Sequence, residues 1–289
     1  MAEHFADRLI GAVERKGSPI CVGIDPIVGS MPDAVFEFTT RVLKIVAPHV
    51  PCVKFQSAYF EQFHSEGVEA YFNLIQEAIE LGLIVIGDVK RGDIGSTASA
   101  YAAGHLAEAA LSASDEIATP DAITVNPMLG MDTLEPFVTT ASELGKGLFV
   151  LVRTSNPGSA ELQDVKLADG RTWSEMVAEK LAAIAERNLG ARGWSSIGAV
   201  VGATQTHTMT SIRRRLPQSI FLLPGYGTQG ATAEMTREAF RDGVGGLVSA
   251  SRSILYAHKE GKYAGLSWEQ ATERAVMDMR EDLRGVLGG

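Results

Sequence analysis

Asp88, Lys90, Arg91 and Asp93 close the run Ile84-Val85-Ile86-Gly87-Asp88-Val89-Lys90-Arg91-Gly92-Asp93-Ile94-Gly95, where an apolar stretch of strand length gives way to charge and glycine. Side chains two apart on a strand share a face, so Asp88 and Lys90 project together, an anion and a cation fixed side by side where the strand ends. Taken alone, an Asp-x-Lys pair is most simply a salt bridge that closes a strand. A second run, Pro51-Cys52-Val53-Lys54-Phe55-Gln56, changes that reading because it carries Lys54 inside an apolar pattern. A lysine there loses solvation unless a carboxylate meets it, so two lysines and two aspartates have reason to share one site.

Three chemistries compete for such a cluster. Metal-assisted hydrolysis or enolate chemistry would use Asp25, Asp88 and Asp93 as oxygen ligands, but Lys54 and Lys90 would repel a divalent cation, and the six histidines show no ligand spacing. Schiff-base formation on Lys90 or Lys54 needs a neutral amine, whereas flanking aspartates hold lysines protonated. Proton delivery by a charged lysine to carbon, with an aspartate set against a departing part of the substrate, suits these residues best. Decarboxylation has that form.

A second region bears on the substrate. Pro224-Gly225-Tyr226-Gly227-Thr228-Gln229-Gly230 and Ser251-Arg252-Ser253-Ile254 each follow a strand-like run. Glycines let backbone N–H groups converge on an anion, and Arg252 adds a planar, bidentate cation. The expected substrate is a small phosphorylated molecule whose other end reaches Asp88 and Lys90.

Positioning these groups is the task of a regular alternation. Apolar runs rich in Val and Ile fall at 20–25, 51–56, 83–90, 122–126, 147–154, 197–201, 220–223 and 246–250, and segments of helical period lie near 33–47, 58–81, 96–113, 131–145, 172–190, 206–216, 231–242 and 267–286. Near-continuous hydrophobicity within each run indicates burial on both faces, and strands separated by helices pair in parallel. Eight such units predict an α/β chain closed as a (β/α)8 TIM barrel. An open doubly wound sheet is the runner-up, disfavoured because no G-x-G-x-x-G follows the first strand. Barrel chemistry gathers at the C-terminal ends of the strands, where Asp25, Asp88, Lys90, Ser155 and Gln229 fall, and phosphate commonly binds the loops after strands seven and eight. A helix over 3–15 is expected to cap the N-terminal face, the connection 155–171 to act as a lid, and residues 1–289 to form one domain.

Composition narrows the partners. Lys and Arg number 26 against 35 Asp and Glu, a formal charge of −9, which argues against nucleic-acid and membrane-surface partners. Cys21 and Cys52 lie in apolar runs without C-x-x-C spacing and read as buried, reduced thiols. The start of the chain lacks a signal-peptide pattern and no run of ~18 apolar residues occurs, so a soluble, cytoplasmic protein is expected. Arg213-Arg214-Arg215 reads as a solvated helix end that complements the dipole. Arg153 stays open between a structural cation and a pocket residue, and Tyr226 between a lid contact and an exposed aromatic.

Lys54 followed by Asp88-x-Lys90-x-x-Asp93 resembles the charged network of the orotidine 5′-monophosphate decarboxylase family, the last enzymes of UMP biosynthesis. Gly23-Ile24-Asp25-Pro26, Thr124-Val125-Asn126-Pro127, Thr154-Ser155-Asn156-Pro157-Gly158 and the two loops named above extend the likeness along nearly the whole chain, in the wording of the longer bacterial form, the type 2 subfamily. The resemblance implies that Lys90 protonates C6 of the pyrimidine, that Asp88 adjoins the leaving carboxylate, and that Lys54 links Asp88 to Asp25 or the ribose hydroxyls. It also implies a homodimer with a shared active site, into which Asp93 and Thr97 cross from the neighbouring subunit, Thr97 to reach the ribose. Asp25 would hold a ribose hydroxyl, Gln229 and Arg252 the phosphate, and Ser155 the pyrimidine edge, or Thr154 should the register shift by one. No cofactor and no metal are implied. Two alternatives remain: a related magnesium-dependent sugar-phosphate decarboxylase or lyase, in which a carboxylate stands where this chain has Lys54, and a catalytically silent barrel that binds nucleotide.

Overall fold

Eight strands, β1 (Ile20–Ile24), β2 (Cys52–Gln56), β3 (Ile84–Arg91), β4 (Ala122–Val125), β5 (Gly147–Arg153), β6 (Ser195–Val201), β7 (Ser219–Pro224) and β8 (Gly246–Ala250), close into one barrel in chain order. All eight pairings are parallel, β8 returning to β1. The computed structural model describes residues 3–27, 32–107 and 117–288. Every residue of β1, β6 and β8 is buried, as strands enclosed by a ring of helices require, and each strand begins and ends within two residues of its apolar run.

The N-terminal helix, Phe5–Lys16, sits where its apolar face predicts. Phe5, Leu9 and Ile10 pack with Cys21, Cys52, Ile84, Ile86, Phe149, Ile220 and Leu247 in a cluster inside the barrel. The Phe5 ring meets Phe149 edge-on at 6.1 Å, and it lies so close to Gly147 that a Cβ there would stand 2.2 Å from the ring. Arg8 then pairs with Asp121 at 2.5 Å, while Asp121 accepts the Val85 N–H at 2.8 Å. Both cysteines are free and fully buried.

Three sequence expectations need correction. The helix expected over 58–81 is broken into Ala58–Glu61 and His64–Glu80, with His64 at φ 55°. Its two pieces fold so tightly together that a Cβ on Gly67 would fall 2.0 Å from the Phe60 carbonyl oxygen. The helix expected over 231–242 shrinks to Ala233–Thr236 and a 3-10 turn, Arg237–Ala239, because Phe240 turns inward against Gly246, where a Cβ would come within 2.7 Å of the ring. Arg213 is no solvated helix end: it is buried and donates to the carbonyls of Leu216, Ser219, Ala239 and Gly245, its guanidinium lying 3.5 Å from the Phe221 ring centroid. The helix expected over 96–113 runs Gly95–Leu106, and 108–113 lies outside the described residues.

Candidate active site

Strand register assembles the charged row. Gln56 stands beside Asp88 in the β2–β3 ladder and Lys54 one pleat back beside Ile86, so alternation aims Lys54, Gln56 and Asp88 into the barrel mouth. Asp88 Oδ2 accepts from Lys54 Nζ at 2.9 Å and from Gln56 Nε2 at 3.1 Å. Asp88 Oδ1 accepts from Lys90 Nζ at 2.6 Å and from the Thr124 hydroxyl at 2.9 Å. Four donors fill the usual lone-pair positions of a carboxylate, so Asp88 has no acceptor capacity to spare.

The charges hold one another ionised. Burial opposes the Asp88 carboxylate, but Lys54 and Lys90 outweigh it and keep the group well below the usual carboxylate range. Burial likewise opposes the Lys54 ammonium, and Asp88 and then Asp25 outweigh it, holding Lys54 above the ordinary lysine range. Lys54 and Asp88 are each only 7 % exposed, whereas the Lys90 side chain is 45 % exposed. The row therefore runs from a dry end to a wet one.

Lys90 is held in an unusual backbone state. Its φ is +46°, a left-handed conformation that a β-carbon disfavours, and the β3–β4 register shifts between Gly87 and Arg91. Its N–H donates to the Thr124 hydroxyl at 2.9 Å. Thr124 thus fixes both the backbone of Lys90 and the carboxylate that Lys90 faces. Thr124 and Gln56 join the row without a charge to mark them in the sequence; the period-2 spacing from Lys54 to Gln56 is the signal that places Gln56 there.

A cavity of about 520 Å³ opens over this row, and its lining includes Asp25, Lys54, Asp88, Lys90, Ser155, Gln229 and Arg252. One Asp25 carboxyl oxygen is buried without a hydrogen-bond partner among the described residues. Asp93 and Thr97 do not line it: Asp93 Oδ1 caps the neighbouring Ile94 N–H at 2.8 Å, and Thr97 is exposed on helix Gly95–Leu106. A single chain therefore unites seven of the nine expected site residues and leaves these two on its surface.

The loop after β5 ties Thr154 down by hydrogen bonds within itself. The Thr154 hydroxyl donates to Asn156 Oδ1 at 2.6 Å and accepts from Gln163 Nε2 at 2.9 Å, while the Thr154 N–H donates to Gln163 Oε1 at 2.7 Å. Thr154 and Ser155 both line the cavity, Thr154 with its hydroxyl already bonded within the loop. The Ser155 backbone presses on Gly202, where a Cβ would lie 2.9 Å from the Ser155 Cα. Arg153 is a structural cation: buried, it grips Asp164 with two bonds of 2.8 Å and donates to the Thr154 carbonyl at 2.7 Å. The connection is an ordered clip with short helical turns at Pro157–Ser159 and Ala160–Gln163.

Across the cavity, Gly225, Gly227 and Gly230 take φ of +114°, +71° and +85°, the left-handed region that glycine alone enters freely. The loop they form touches the one after β8, since a Cβ on Gly227 would meet Ser253 Oγ at 3.1 Å. Arg252 is exposed and has no carboxylate partner among the described residues. The Tyr226 hydroxyl donates to Asp282 Oδ2 at 2.5 Å; burial, then this bond, raises the phenol's pKa and keeps it a donor.

A parallel barrel whose mouth holds a row of alternating, mutually paired charges at one wall and, at the other, an arginine without a carboxylate partner among the described residues belongs among enzymes that act on small phosphorylated molecules. Comparison with known proteins is specific. Residues 18–264 match the model of the orotidine 5'-phosphate decarboxylase / HUMPS family. The orotidine 5'-phosphate decarboxylase of Rhodopirellula baltica is 41% identical over 302 residues, covering 97% of this chain and 99% of that one, and that of Clostridium novyi is 38% identical over 288 residues, covering 96% and 97%. Among solved structures, one from Streptomyces avermitilis superposes with a TM-score of 0.82 at 34% identity over 100% of this chain and 97% of its own. The Leishmania donovani OMP decarboxylase gives 0.79 at 30% identity, covering 99% and 100%.

The chain belongs to the orotidine 5'-phosphate decarboxylase family. It is a carboxy-lyase, and its reaction is the decarboxylation of orotidine 5′-monophosphate to UMP and carbon dioxide in pyrimidine biosynthesis.

Proposed function

We propose that the reaction runs on the Lys54–Asp88–Lys90 row, without metal or cofactor. The observation that carries this reading is the Asp88 carboxylate clamped between two ammonium groups, at 2.9 Å from Lys54 and 2.6 Å from Lys90. A substrate carboxylate brought against ionised Asp88 is repelled, and the repulsion disappears as carbon dioxide leaves. The bond from C6 to the carboxylate breaks, its electron pair stays on C6, and Lys90 delivers a proton there. The half-exposed Lys90 amine then regains a proton from solvent. Asp25 takes a ribose hydroxyl, Ser155 the pyrimidine edge, and Gln229 and Arg252 the phosphate.

The working unit in this reading is a homodimer. Asp93 and Thr97 lie outside the cavity of their own chain, and beside them stand exposed apolar side chains, Ile94 at 63%, Met128 at 61% and Leu129 at 57%. An apolar rim of this kind suits contact with a second copy, which would carry Asp93 and Thr97 into the neighbouring site. The 1–289 chain acts as one domain, and no helix of the described residues is long and apolar enough to cross a membrane, in keeping with a cytoplasmic enzyme. The test is incubation with orotidine 5′-monophosphate under chelator, following the loss of ultraviolet absorbance. Undiminished turnover is expected, and activity that depends on added magnesium would overturn the metal-free mechanism.

A further inference from the structure

The loop at 224–231 is held over the cavity mainly through Tyr226 and Ala231, whose side chains pack on the core. Three of its residues are glycines with positive φ, which contribute no side-chain packing and leave the backbone many alternative conformations. Its backbone bonds are mostly to itself: Gly227 N–H to the Ala231 carbonyl at 3.0 Å, Gly230 to Gly227 at 2.8 Å, and Ala231 to Gly225 at 3.3 Å. Such bonds preserve the shape of the turn but not its position over the cavity. Among the described residues, the one side-chain hydrogen bond from this loop to another element is that of Tyr226 to Asp282.

Asp282 lies on the final helix, Trp268–Leu287, beyond residue 264 where the family match ends. It is exposed and makes no other hydrogen bond or ion pair among the described residues. Tyr226 borders both the active-site cavity and a second cavity against the final helix, so its ring spans the wall between them. Two residues after Tyr226 in the same turn comes Thr228, then Gln229, both lining the active-site cavity. A shift of the Tyr226 end would displace both.

We propose that Asp282 is a positioning residue for the phosphate grip: its carboxylate anchors Tyr226, and through it sets the glycine loop so that Gln229 lines the cavity on the same wall as Arg252. The inference rests on the assignment of this loop and Arg252 to the phosphate. Asp282 touches no substrate atom, and its effect is confined to ligands that carry a phosphate.

The affinities of UMP, ribose 5-phosphate and uridine, measured as competitive inhibition constants against decarboxylation, test this in five variants. Asp282→Ala and Tyr226→Phe should each weaken UMP and ribose 5-phosphate by about fivefold to tenfold, within the range of one ordinary hydrogen bond, and leave uridine unchanged. The double variant should be no weaker than either single one, because both remove the same link. Asp282→Asn keeps an acceptor oxygen and should stay near wild type. Unchanged UMP affinity in Asp282→Ala, or equal weakening of UMP and uridine, would overturn the proposal. Arg252→Ala separates the two layers: if it spares ribose 5-phosphate, the phosphate assignment itself falls, and the role of Asp282 with it. If Arg252→Ala weakens that ligand while Asp282→Ala does not, only the role of Asp282 falls. Because Asp282 is exposed, its variants should melt with the wild type.

Discussion

The two walls of the cavity are built on opposite principles. On the β2–β3–β4 side every charge already has its partner: Asp88 takes four donors, Lys54 is buried against it, and Thr124 bonds both Asp88 and the backbone of Lys90. On the β7–β8 side the backbone is rich in glycine at positive φ, Arg252 is exposed, and among the described residues the loop makes one side-chain hydrogen bond to another element, that of Tyr226 to Asp282. Groups that must repel or protonate at one atom gain from rigid preorganisation. A phosphate grip can complete itself on its ligand, because the anion supplies the missing partner. The difference predicts that changes at the first wall strike chemistry and stability, and that changes at the second strike binding.

Lys90→Ala should show the largest effect. It removes the proposed proton donor and should lower kcat by about 10³-fold or more, within or above the range for general acid catalysis, with the fold intact because Lys90 is the half-exposed end of the row. Lys54→Met should come next. It leaves a buried carboxylate short of a charge partner, a loss of about 3–5 kcal/mol measurable by urea unfolding, and adding Asp88→Asn should restore part of that stability without restoring activity. Arg252→Ala should weaken UMP by about 10- to 100-fold, the worth of a charged hydrogen bond or two, with unfolding stability unchanged. A destabilised Arg252→Ala would blur the contrast between the walls.

The smallest effect concerns pH. The folded-state pKa of Asp88 is depressed, so its contribution to stability is complete above the unfolded value of about 3.9 and is lost only as pH falls below it toward the folded value. Lys54 is raised, so its contribution is complete below about 10.4 and is lost as pH rises beyond. Between pH 5 and 8 neither Asp88 nor Lys54 should titrate. The acid limb of kcat/KM should instead fall near pH 6, where a phosphate monoester takes up its proton, and a limb that shifts in Asp88→Asn would assign it to the row.

Much of this was legible in the sequence. Strands buried on both faces leave unbroken apolar runs, which is why all eight were placed within two residues, and a charge inside such a run stands out, which is why Lys54, Asp88 and Lys90 were found. Neutral polar residues carry no such contrast, so Gln56 and Thr124 passed unassigned. The helix breaks at Phe63 and after Thr236 arise from close approaches, Gly67 to Phe60 and Gly246 to Phe240, that no local periodicity contains. Arg213 was misread for another reason. Met209, Ile212 and Leu216 share its helical face and are fully buried, so the phase of the helix signalled burial while the run of three arginines suggested solvent.

The central claim is that the two walls do separable work, and parallel measurement of kcat and UMP affinity in Lys90→Ala and Arg252→Ala tests it most directly. The account predicts that Lys90→Ala loses turnover while binding UMP within a few-fold of wild type, and that Arg252→Ala loses affinity while keeping most of its turnover at saturation. If Lys90→Ala turned over within tenfold of wild type, or if the two variants lost turnover and affinity in equal measure, the account would be contradicted.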